Sequence, residues 1–148
     1  VKRKFLFLFF IFLVLPIGLF FCWKFYQNTT REIISVDDIT EVRLEKQGND
    51  LYMIGQAELK YFEKISNYGA VQIDDILYIY VIKMKSLTNE DSFNLNISAM
   101  TVSDSLDEPQ NIYLVSGEDI VVKDPNDSKR DHIEVTNYSN KIELFPDR

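Results

Sequence analysis

The densest group of polar side chains that could do chemistry is Asp124-Pro-Asn126-Asp127-Ser128-Lys-Arg-Asp131-His132. Asp124, Asn126 and Ser128 stand at alternate positions, as oxygen ligands do at the start of a calcium loop. Lys129, however, occupies the place of the obligatory glycine and Val135 that of the bidentate glutamate. Lys129 and Arg130 would repel a cation as well, so the stretch reads as a solvated turn. His132, flanked by Asp131 and Glu134, has the composition of a general base with an orienting carboxylate. No nucleophile is marked by a Gly-x-Ser-x-Gly elbow, and the expectation is a surface histidine beside acids.

The remaining candidates are weaker. Asp37-Asp38, Asp74-Asp75, Asp107-Glu108 and Glu118-Asp119 are adjacent pairs. In a strand their members point to opposite faces, which does not suit the paired carboxylates of a glycosidase. Single Cys and His residues exclude an internal disulfide, a Cys-based zinc cage and a two-His zinc site. The five glycines are scattered and form no phosphate loop. No catalytic, cofactor-binding or metal-binding residue and no cofactor is therefore expected. Tyr61, Phe62, Tyr68, Tyr78 and Tyr80 divide between core packing, expected for Tyr78 or Tyr80, and a sticky patch on any uncovered sheet face.

Charge is unevenly placed along the chain. The 148 residues carry a net charge of −7, yet residues 1–31 hold five basic side chains and no acidic one, which leaves −12 on the remainder. An acidic remainder argues against nucleic acid as a partner, since phosphate binding relies on clustered Lys and Arg.

Phe5 to Trp23 is a run of 19 residues without a charge, seven of them Phe and five Leu. As a helix it spans about 28 Å, close to the ~30 Å hydrocarbon core of a bilayer. Pro16 and Gly18 are tolerated in lipid, with a kink expected at Pro16. The run is longer than the apolar core of a signal peptide and ends in bulky residues, Phe20-Phe21-Cys22-Trp23, so a retained anchor is favoured over a cleaved signal. Phe21 occupies the position where lipidation of Cys22 would need a small residue. The Lys2-Arg3-Lys4 cluster predicts a cytoplasmic N-terminus, with Trp23 and Tyr26 at the outer interface. The expected division is a basic flank (1–4), a transmembrane helix (5–23), a polar stalk (24–40) and an extracytoplasmic β-rich domain (41–148).

That domain is patterned mostly with period two. Gly48-Asn49 marks a hairpin that sets Leu44 opposite Met53, Glu45 opposite Tyr52 and Lys46 opposite Leu51. A second hairpin on Gly117-Glu118 is expected to pair Val115 with Ile120, Leu114 with Val121 and Tyr113 with Val122. A third, around residues 137–140, would pair Val135 with Ile142 and Ile133 with Leu144, with Glu134 beside Glu143. Ile76–Met84 reads as a central strand. Phe93–Val102 reads as its alternating partner, with Phe93, Leu95, Ile97 and Ala99 inward. Gln56–Asn67 is the best helix candidate, although Ala57-Leu59-Tyr61 also fits a strand. The fold expected is mainly β: a single N-terminal transmembrane helix, then a small antiparallel β-sandwich or open barrel with at most one helix.

These features predict a non-enzymatic, membrane-anchored, extracytoplasmic binding module. Its expected partners are membrane lipid through residues 5–23 and a protein at the cell envelope. Alternatives are an envelope sensor or ligand-binding subunit, or an enzyme with a site near Asp124–Glu134. The Lys/Asn/Ile/Asp-rich usage points to an AT-rich bacterial genome, in which Asn96 and Asn137 would match the glycosylation pattern without being modified.

Overall fold

The computed structural model describes residues 1–103, 105, 107–122 and 132–146. The chain begins with one long helix, α1 (Lys2–Thr29), followed by a short strand β1 (Glu32–Ile33) and a 3-10 turn at Val36–Asp38. Next come β2 (Ile39–Gln47), β3 (Asp50–Ala57), β4 (Glu63–Ile73), β5 (Ile76–Lys85) and β6 (Ser92–Asn96). A single helical turn, α2 (Ile97–Met100), leads to β7 (Thr101–Ser103) and β8 (Asn111–Ser116). The last described elements are β9 (Val121–Val122), β10 (His132–Ile133) and β11 (Asn140–Leu144).

β5 organises the domain because it is apolar on both faces. It lies inside a six-stranded sheet of order β11-β8-β5-β4-β7, in which β1 also pairs with β5. One edge of β5 is occupied by β4 along its whole length. The other is shared between β8, parallel over Ile76–Ile79, and β1, antiparallel at Ile82–Lys83. A three-stranded sheet, β2-β3-β6, packs on one face of the larger sheet, and β9-β10 form a separate ribbon.

Alternation along β5 creates two cores. Leu77, Ile79 and Val81 face the small sheet and meet Leu44, Met53, Phe93 and Ile97. Tyr78, Tyr80 and Ile82 face the other way and pack with Val71, Val115, Ile120 and Val135. Each such large apolar side chain contributes about 1.5–3 kcal/mol when fully buried, so one strand supplies much of the stabilisation of both layers.

The architecture is mainly β, with two principal sheets and no closed barrel among the described residues. The first hairpin has the expected register, Leu44↔Met53, Glu45↔Tyr52 and Lys46↔Leu51. Its turn places Gly48 at φ 64°, a conformation that an L side chain resists.

Several expectations are corrected. The large sheet is mixed rather than antiparallel, because β4·β7 and β5·β8 are parallel pairs. No helix forms over 56–67: Ala57 ends β3, residues 58–62 make the connection and Glu63 begins β4. The apparent period of three in Leu59, Phe62 and Ile65 has no buried stripe behind it, since Phe62 is 64% exposed. Pairing of β4 with the full length of β5 outweighs local helix propensity there.

The second and third hairpins are also not formed. Ile112 and Leu114 pair with β5 on one side and with Leu144 and Ile142 of β11 on the other. β9 pairs with β10 instead, and Glu143 lies opposite Tyr113 rather than Glu134. β6 joins β3, not β5, and the stretch 93–102 is broken by α2, which leaves Ala99 exposed. The polar segment 24–40 is not a free stalk. α1 continues to Thr29, β1 enters the sheet, and Ile34 and Val36 are buried in the core between the sheets.

Candidate functional site

The junction between α1 and the sheet is built from the last helical turn outward. From Phe5 to Phe21 the large apolar side chains of α1 are exposed, whereas Gln27 is buried. The Gln27 side chain donates to the Lys85 carbonyl at 3.0 Å, and the Lys85 N–H donates to Thr30 Oγ1 at 3.2 Å. These bonds join the helix end to the end of β5, and pairing of β1 with Lys83 and Ile82 follows within three residues.

Immediately beside this junction lies a chain of four charges. The Glu63 side chain is only 5% exposed and accepts from Lys85 Nζ at 3.0 Å and Lys83 Nζ at 3.3 Å. The Lys60 backbone N–H donates to it at 3.0 Å. Lys83 Nζ also reaches Glu32 at 3.1 Å. Burial pushes the Glu63 carboxyl upward, but the bonds from Lys85 and Lys60 and the Lys83 charge outweigh it, so Glu63 titrates below its ordinary value. Burial likewise opposes the charge on Lys83, yet the hydrogen bond and charge of Glu32, with those of Glu63, hold its pKa above the ordinary value. Both groups are therefore ionised at neutral pH, and the unit is a charge-assisted clamp rather than a proton-transfer pair.

Lys83 and Glu32 form part of the wall of an open cleft of about 820 Å³. Opposite them stand Ser116, Gly117 and Glu118 at the end of β8, with Ser139 and Asn140 at the start of β11. The walls are tied together. The buried Ser116 hydroxyl accepts from the Val36 N–H at 3.0 Å, and the Ser116 carbonyl accepts from the Ser139 N–H at 2.9 Å. A Cβ at Gly117 would lie 2.7 Å from Ser139 N, so glycine permits the close approach of these two segments. Arg31 and Asp38 add a further cation and anion to the lining. Carboxylates, cations, hydroxyls and apolar Ile33, Ile82 and Ile120 around one open cleft suit an extended peptide-like surface with mixed polarity.

The residues singled out from sequence fare differently. Residues 123–131, including the calcium-like stretch, lie outside the described residues. His132 pairs with Val122 through the backbone of the β9-β10 ribbon, and Glu134 is exposed at φ 61°. No group of three or more His, Cys, Asp or Glu positioned to hold a metal occurs among the described residues. Tyr78 and Tyr80 are both buried, where core packing was expected of one or the other, whereas Tyr61 and Phe62 are exposed and Tyr68 donates its hydroxyl hydrogen to the Asn96 carbonyl at 2.7 Å. The cluster of Glu32, Glu63, Lys83 and Lys85 escaped sequence reasoning. Its signal was present: lysines two apart at the end of an otherwise apolar central strand share a face and need a buried counter-charge.

α1 is long and apolar enough to cross a membrane, with a mean hydropathy of 2.9 over its best window, and a signal sequence near an N-terminus shares these properties. No family model matches the chain, and neither a curated protein nor a solved structure is detectably similar to it.

Proposed function

We propose that the chain is a single-pass, membrane-anchored interaction module with its N-terminus cytoplasmic and its β domain outside, at a bacterial cell envelope. It is not an enzyme on this reading. The protein partner engages the cleft between β1 and the ends of β8 and β11. The observation that carries the reading is the form of α1: its apolar length stands clear of the domain, and only its last turn is bonded to the sheet. A helix whose purpose was to fill a protein core would be buried along one stripe. Lys2, Arg3 and Lys4 at one end, and Trp23 beside Tyr26 at the other, with ring centroids 5.7 Å apart, support the orientation.

The test is a photo-crosslinking residue placed in living cells at Glu118, on the cleft rim, and separately at Gln47, near the β2-β3 turn. One discrete adduct from position 118, lost on Glu32→Lys and absent from position 47, is expected. Equal labelling from both positions, or none from either, would remove the cleft as the binding surface.

A further inference from the structure

We propose that the loops carrying Tyr61, Phe62 and Leu87 form a second attachment to the bilayer, seating the helix-proximal end of the domain in the lipid headgroup layer. The inference rests on the reading of α1 as a retained anchor and adds to it a contact made by the folded domain.

Three observations bring these side chains together at the membrane surface. Gln27 bonds to the Lys85 carbonyl, which fixes the end of β5 at the helix exit. The Ser86 N–H donates to the Phe62 carbonyl at 2.8 Å, so the β3-β4 loop lies against the residue that follows β5. Leu87 is the next residue along. Tyr61, Phe62 and Leu87 are 88%, 64% and 76% exposed, although large apolar and aromatic side chains favour burial. Phe62 holds φ 61°, a conformation ordinarily left to glycine or asparagine, and so keeps an aromatic ring at a position where a small residue would ease the turn.

The distances fit. Gln27 is four residues, about 6 Å of helix, beyond Trp23. The headgroup region adds roughly 5–7 Å to each side of the hydrocarbon core, so the Lys85 carbonyl and the loops beside it lie at headgroup level. Ile73, Val102 and Phe145 are also exposed but lie elsewhere. Ile73 stands at the opposite end of β4, roughly 33 Å along the strand from Glu63. Val102 is paired with Val71 near that same end. Phe145 follows Leu144, which pairs with Ile112 beside Leu77, far from the helix exit.

Lipid is favoured over a protein occupant by this continuity with the anchor. The loops carry Lys60, with Lys64 just inside β4, against Glu58, Glu90 and Asp91, so attraction to anionic lipid is not required and the attachment is apolar.

The full chain in phosphatidylcholine vesicles, with nitroxide lipid labelled near the headgroup, tests this. Tyr61→Trp and Leu87→Trp are made separately in a Trp23→Phe background, with Asn49→Trp at the β2-β3 turn as the distant control. Loss of emission is expected at positions 61 and 87, with none at 49, and the same losses when anionic lipid is added. Full emission at 61 and 87, while native Trp23 in the parent chain is quenched, would overturn the second attachment and leave the anchor standing. An unquenched Trp23 would mean that the helix is not inserted, and both readings would fall.

Discussion

The two ends of the β domain solve the problem of charge in opposite ways. Next to the helix, Glu63 is buried between Lys83 and Lys85, with Glu32 closing the chain. At the far end, Asp74 and Asp75 occupy the exposed β4-β5 turn, and Lys46 meets Glu108 at 4.0 Å with side chains 60% and 93% exposed. The far contact is worth little, because water screens it and the side chains lose entropy to hold it. The near cluster carries a desolvation cost that its hydrogen bonds must offset, and losing one member strands the others. β1, β4 and β5 are registered by these charges beneath the helix, whereas the far end is held by its turns and by neutral hydrogen bonds such as those from the buried Gln72 side chain to the Asp74 and Asp107 carbonyls at 3.2 and 2.8 Å. The hydrogen bonds of Gln27 and Thr30 to Lys85, with these charges beside them, join the helix end to the sheet that carries the cleft.

The largest effect expected is therefore from Glu63→Gln, which leaves two lysines facing a neutral group. It should cost about 2 kcal/mol in urea unfolding of the detergent-solubilised chain, below the upper range for buried pairs because Lys83 keeps Glu32 and Lys85 is partly solvated. The same substitution at Glu108 should cost less than about 0.5 kcal/mol. Equal losses at the two positions would erase the distinction between the ends.

Acid should reveal the same asymmetry. The Glu63 carboxyl titrates below its ordinary 4.5 in the folded state, so its contribution is intact above that value and is lost as pH falls through the folded pKa. Lys83 titrates above its ordinary 10.5, so its contribution is full below that value and fades only at higher pH. Stability from the cluster should be flat between about pH 5 and 9. The acid-side fall should be shallower in Glu63→Gln, as thermal midpoints across pH would show.

At the far end the governing term is conformational. Gly48→Ala should cost about 1 kcal/mol by forcing an L side chain to φ 64°, with cleft crosslinking from position 118 unchanged. Smallest of all, Lys46→Ala should leave the unfolding midpoint where it is, within about 0.5 kcal/mol.

What the sequence made legible follows the range of the contacts. Gly48-Asn49 joins strands that are adjacent in the chain, so turn chemistry and alternation fixed the β2-β3 register residue by residue. Ile112 and Leu114 alternate just as clearly, but alternation assigns a face and not a partner. Their partners are β5 and β11, the second reached after an excursion through residues 117–139, and no local signal names them. Ile34 and Val36 were hidden in a polar stretch, and burial of two apolar residues there became visible only once β5 offered an open edge. The charged cluster combines both cases: Lys83 and Lys85 announced a need for a counter-charge, but Glu63 answers from a segment whose periodicity imitated a helix.

Retention of α1 is tested most directly by mass spectrometry of the protein extracted from carbonate-washed cell membranes. The tryptic peptide Phe5–Lys24 should be recovered in the same amount as peptides of the β domain. Domain peptides recovered without it, from protein released by the wash, would identify the helix as a cleaved signal and contradict the anchored module.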